Sequence, residues 1–98
     1  MNIKYLPDAI SDLEDVYKYI YQDNVDVAVK IVLQIQDFID HLIDNPSIGR
    51  VGRVIGTREL VLTKLPFTIP YRVIDPNIEI LAIIHQARTW PDNISKGS

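Results

Sequence analysis

The sequence predicts an α+β fold: a helical hairpin packed on one face of a small, mostly antiparallel sheet, in the order β-α-α-β-β-β. Three observations predict it. From Pro7 to Asp44 apolar residues recur every three or four positions, the period of an amphipathic helix. Beyond Gly49 the period shortens to two, the period of a strand. That second half is interrupted by Thr63-Lys64-Leu65-Pro66 and by Asp75-Pro76-Asn77, which suit the turns between paired strands.

Asn2–Leu6 alternates weakly and reads as a short first strand, stopped by Pro7, a residue well placed to open a helix. The first helix follows from Pro7 to Tyr21, with Ala9, Ile10, Leu13, Val16, Tyr17 and Ile20 on its stripe and acids in its first turns, where the helix dipole favours them. Asp23-Asn24 break it. The second helix is predicted over Asp26–Asp44, with Asp26 as N-cap and Asn45-Pro46-Ser47 as its end. Strands are predicted at Arg58–Leu62, Phe67–Ile74 and Ile78–His85, as two consecutive hairpins. Pro70 falls inside the middle strand and has no N–H for the ladder, so a bulge or one-sided pairing is expected there. The chain is read as one domain over residues 1–98, with a frayed tail from 93 onward.

Side chains alternate across a strand, so parity sorts the faces. Phe67, Ile69, Tyr71 and Val73 share one face, and Ile78, Ile80, Ala82 and Ile84 another of the same apolar kind; these should meet the helices. Tyr71 is then a core residue. Glu59, Arg72 and His85 are left for the opposite, open face.

Composition narrows the chemistry. There is no cysteine, which excludes disulfides, thiolate catalysis and cysteine-ligated metals. Two histidines, His41 and His85, are too few for a dedicated transition-metal site, and no cofactor or metal is expected. The longest apolar run, Ile80–Ile84, is far short of the roughly 20 residues that span a bilayer, and the N-terminus has no apolar signal region. The expected location is the cytoplasm, without a membrane partner. The net charge of −3 is unevenly placed: three lysines stand against nine carboxylates before residue 50, and seven cations against four carboxylates after it. Arginines concentrated in one half favour an anionic partner, whereas the acidic total opposes non-specific nucleic-acid binding.

Several segments together resemble the RelE/ParE toxin superfamily. They are Pro7-Asp8-Ala9, Asp12-Leu13, Tyr19-Ile20, Asn45-Pro46, Gly49-Arg50, Gly56-Thr57-Arg58-Glu59-Leu60-Val61, Leu65-Pro66-Phe67, Tyr71-Arg72-Val73 and the stretch from Ile80 to Pro91 that contains His85, Arg88 and Trp90. The resemblance covers about residues 3–91 and rests on the order and spacing of these pieces. It implies the toxin of a type II toxin–antitoxin module, held inactive in a hetero-oligomer by a cognate antitoxin. ParE-like members block DNA gyrase; RelE-like members cleave mRNA on the ribosome.

Each mechanism asks for different residues. RNA cleavage needs a base, a cation and an acid brought together. Glu59 or His85 could serve as base, Arg58, Arg72 or Arg88 as phosphate clamp, and His85 as acid. A binding toxin needs only a surface, for which Arg50, Arg53, Arg58, Arg72, Arg88 and Trp90 are the candidates. The acidic total and the lack of a lysine-rich strand favour gyrase; ribosome-dependent cleavage is the alternative. Plainer roles stand beside these. His85 suits a hydrogen-bonded strand end, His41 a solvated helix surface, Trp90-Pro91 a packing lid, and Gly49 and Gly52 a loop with positive φ. Arg58 and Glu59 are neighbours, so in a strand they point to opposite faces and do not pair with each other.

Overall fold

The computed structural model describes residues 1–87. Two helices lie against one face of a six-stranded mixed sheet. Strand β1 (Asn2–Tyr5) leads into α1 (Pro7–Tyr21) and α2 (Val25–Asp40), which a short 3-10 turn (His41–Ile43) extends. Then come β2 (Arg50–Val51), β3 (Arg58–Val61), β4 (Phe67–Ile74), β5 (Asn77–Ile80) and β6 (Ile84–His85). The spatial order is β1-β5-β4-β3-β2, with β6 also paired to β4; β1 runs parallel to β5 and every other pair is antiparallel.

The core forms where the two apolar periods meet. Ala9 of α1, Ile35 and Ile39 of α2, and Leu42 pack on Ile69, Tyr71, Ile78 and Ile80 of the sheet, all fully buried. Helix α2 is capped by Asn24, whose side-chain oxygen accepts from Val27 N at 3.1 Å. Asp26, the expected cap, instead sits in the first turn, where its charge meets the helix dipole. The α-helical part also ends earlier than expected, at Asp40, and tightens into the 3-10 turn before Pro46.

The larger correction concerns the last predicted strand. Ile78–His85 is not continuous. The ladder with β4 runs to the pair Tyr71–Ile80 and resumes at Thr68–Ile84. Three residues, Leu81, Ala82 and Ile83, therefore stand opposite two, Ile69 and Pro70. Pro70 cannot donate, and its carbonyl accepts from Leu81 N at 2.9 Å. This is the bulge expected at Pro70, displaced onto the partner strand. One inserted residue reverses all later side chains. His85 is thereby placed opposite Phe67 on the helix side, and Ile84 opposite Thr68 on the other.

Tyr5 packs beneath the sheet edge against the core. Burial pushes its hydroxyl pKa up to about 12, and the nearby charge of Asp40 adds to the shift. An unfolded tyrosine ionises near pH 10. Between about pH 10 and 12 the unfolded chain therefore releases a proton that the folded chain keeps. Stability should fall as pH rises through that window. Urea midpoints at about pH 9 and pH 11 should differ, and Tyr5→Phe should reduce the difference; an equal difference in that variant would contradict the assignment.

Candidate functional site

The face turned away from the helices carries the charged pairs. Reading across the strands, Arg50 lies opposite Glu59, which lies opposite Pro70; Arg72 lies opposite Glu79, which lies opposite Lys4. Arg72 Nε donates to Glu79 Oε1 at 2.6 Å, in an exposed pair. Glu59 is different. Only 2% of it is exposed, yet its carboxylate is well provided with donors. Arg50 donates from Nε and Nη2 to Oε1, at 3.1 and 2.8 Å, and Arg53 N donates to Oε2 at 3.3 Å. A buried carboxylate is tolerated when donors replace its water, as they do here.

Glu59 thereby holds the segment that joins β2 to β3. The same segment is closed by Gly52 N donating to Thr57 O at 2.8 Å and by the Thr57 hydroxyl donating to Val54 O at 2.6 Å. Gly56 supplies the positive φ of +82° that the turn requires. The glycines expected to do so do not. Gly49 and Gly52 lack positive φ and are needed for close approach: an added Cβ would lie 2.6 Å from the Tyr71 hydroxyl at Gly49, and 2.2 Å from the Thr57 hydroxyl at Gly52.

The other predicted residues are elsewhere. Arg58 pairs in register with Tyr71, on the helix side, and its Nη1 donates to Gly49 O at 2.8 Å and to Ser47 O at 3.3 Å. Tyr71 donates from its hydroxyl to Pro46 O at 2.7 Å and accepts from Gly49 N at 2.9 Å. Burial raises its pKa, against the lowering effects of the Gly49 hydrogen bond and the Arg58 charge. Arg58 and Tyr71 thus tie residues 46–49 to the sheet.

His85 is not on the open face with Glu59 and Arg72, because the bulge has turned it over. Its ring stands edge-on to Phe67, with centroids 5.5 Å apart, and its Nδ1 accepts from Ala87 N at 3.1 Å. It lines a cavity of about 470 Å³ between α1 and the sheet, together with Asp12, Asp15, Tyr19 and Ile83. Asp12 is a contributor that periodicity did not reveal. Its Oδ2 accepts from Ile83 N at 2.9 Å, so a residue read as helix surface satisfies a backbone amide freed by the bulge. The distance of 71 residues between the two hides that link from any local reading. Arg88 and Trp90 lie outside the described residues.

The site therefore offers a surface of paired and unpaired cations, with its two best acid–base candidates, Glu59 and His85, on opposite faces of the sheet. Comparison with known proteins places this fold. A family described as the ParE toxin of the type II toxin–antitoxin system parDE matches residues 3–90. The chain belongs to the ParE toxin family. It is 39% identical over 89 residues to "Putative toxin Y4kP" of Sinorhizobium fredii, covering 91% of this chain and 92% of that one. Among solved structures it is similar to the chromosomal ParDE toxin–antitoxin system from P. aeruginosa, with a TM-score of 0.78 and 33% identity over 87% of this chain and 95% of that one. The isolated E. coli RelE toxin shares the fold at a TM-score of 0.65 and 10% identity, covering 98% and 95% of the two chains. In this ParE-family toxin the α+β architecture read from the two periods is thus that of its relatives.

Proposed function

We propose that this ParE-family toxin inhibits growth by binding and poisoning DNA gyrase in the cytoplasm, without bond-making chemistry of its own, and that a cognate antitoxin neutralises it in a hetero-oligomeric complex. The observation that carries the non-catalytic reading is the separation of Glu59 from His85. Cleavage through a 2′-hydroxyl needs a proton acceptor and a proton donor at one phosphate. Here the Glu59 carboxylate is engaged by Arg50 and by the Arg53 amide, and His85 lies across the sheet. Arg58, a clamp candidate, is engaged by loop carbonyls. A formal charge of −3 also opposes approach to ribosomal RNA. In the complex, Arg50, Arg53 and Arg72 are the groups on the open face that meet carboxylates of the antitoxin, and neutralising them together should weaken binding and flatten its salt dependence.

Two assays on purified protein test the target: supercoiling by gyrase, and cleavage of mRNA on programmed ribosomes. Gyrase inhibition without cleavage is expected. His85→Gln and Glu59→Gln separate the two mechanisms further. A nuclease should lose about 10²-fold in cleavage or more on losing a general acid or base. For a binding toxin, His85→Gln should leave inhibition within about threefold, a small change beside that scale. Cuts in ribosome-bound mRNA that vanish in these variants would establish the RelE-like alternative and sink the gyrase reading.

A further inference from the structure

The segment between β2 and β3 has an unusual surface. Ile55 is 99% exposed and Val51 78%, and Val54 and Ile74 are exposed beside them. Single exposed apolar residues are commonplace, but a cluster marks a contact surface. This cluster is also held in place. Its turn is closed by the Gly52–Thr57 bond and the Thr57 hydroxyl, and its base is gripped by the buried Glu59 carboxylate. A chain that keeps a buried charge fixing a loop whose tip is a bare isoleucine has pre-organised that tip, which lowers the ordering cost of binding.

Behind the tip lies a groove of about 680 Å³, walled by Val54 and Ile55 on one side and by Leu6, Ile74 and Leu81 on the other. Arg72 and Asp8 supply its charged lining. Around loop and groove the face carries four cations, Lys4, Arg50, Arg53 and Arg72, against the carboxylates of Glu59 and Glu79. Among the described residues, neither the Arg53 guanidinium nor the Lys4 ammonium has a partner. An acidic protein has thus collected spare positive charge beside an apolar groove. The complementary partner presents apolar side chains and carboxylates together. A nucleic acid would satisfy the cations but leave Ile55 and the groove without contacts.

We propose that the loop over residues 52–57 and the adjoining groove are the docking site for an acidic, apolar-bearing segment of the antitoxin, with Ile55 as its anchor and Glu59 as the positioning residue that holds the loop. This rests on the antitoxin reading given above. Apolar side chains of the segment fill the groove against Ile55, and its carboxylates meet Arg53, Arg72 and Lys4.

The test titrates full-length toxin with the full-length antitoxin co-expressed with it, using the unchanged chain, Ile55→Leu and Ile55→Asp, each also followed by thermal melting. Truncating a central interface anchor commonly costs about 30-fold in affinity, and a buried carboxylate in its place costs at least that. Ile55→Asp should therefore bind about 30-fold or more weakly with an unchanged melting midpoint, and Ile55→Leu should stay within about threefold. Equal affinity of Ile55→Asp and the unchanged chain would overturn the proposal. So would a loss of binding by Ile55→Asp to a fluorescent 20-nucleotide single-stranded RNA with antitoxin affinity retained. If the unchanged chain binds no antitoxin, the partner reading itself has failed, and that result precedes any variant.

Discussion

Tyr71→Phe is expected to lower the unfolding free energy by about 2 kcal/mol, although the change removes a single oxygen. That hydroxyl is fully buried and serves two backbone groups: it donates to Pro46 O and accepts from Gly49 N. Phenylalanine fills nearly the same volume but leaves a carbonyl and an amide without a partner, and the cost lies in that desolvation. For a domain of this size each kcal/mol moves the melting midpoint by about 4–8 °C, so a fall of about 10 °C is expected. Gly49→Ala tests the same contact from the other side, because its Cβ would lie 2.6 Å from both Cε1 and the hydroxyl of Tyr71. Both variants should free residues 46–49 from the sheet and raise amide exchange there. If Tyr71→Phe melts within about 2 °C of the unchanged chain, a shift below 1 kcal/mol, the hydroxyl is not what anchors this segment.

Ile39→Ala should cost more, about 3 kcal/mol within the usual range of about 2–5 for such truncations. Ile39 is fully buried on α2 and belongs to the cluster that joins α2 to the sheet through Ile69 and Ile78. The lost methylenes forfeit their transfer energy and leave a cavity that neighbouring helices and strands close only in part. Leu33→Ala on the outer side of the same helix is the control. Leu33 is 59% exposed, and its truncation should change stability by less than about 0.5 kcal/mol. Chemical denaturation of both variants measures the contrast, and equal midpoints would mean that α2 does not use the face assigned here. Total stability of a small domain is about 5–15 kcal/mol, so combining Ile39→Ala with Tyr71→Phe should leave little of the folded state at 37 °C.

Much of the architecture was legible in the sequence because it rests on short-range periods. Ala9, Leu13 and Val16, then Ala28, Ile35 and Ile39, mark two helices by spacing alone, and Phe67, Ile69 and Tyr71 mark a strand with one buried face. Pro70 announced its bulge because a missing donor is a local property. The tail of the ParE resemblance, with Arg88 and Trp90, falls outside the described residues.

What tertiary structure alone decided depends on register and on partners distant in the chain. The period of a strand is two, so the single extra residue in Leu81-Ala82-Ile83 carried His85 to the helix side and away from Glu59. No composition or motif records on which of two paired strands such a residue is absorbed. The pairing of Glu59 with Arg50, and the use of Asp12 to satisfy Ile83 N, link residues whose own neighbourhoods carry no trace of each other. The sequence by itself determined the helices, the strands and the toxin family, since these follow from local periodicity and from the order of the motifs. The folded chain determined which charged groups meet, because each such contact is closed only after the sheet has chosen its register.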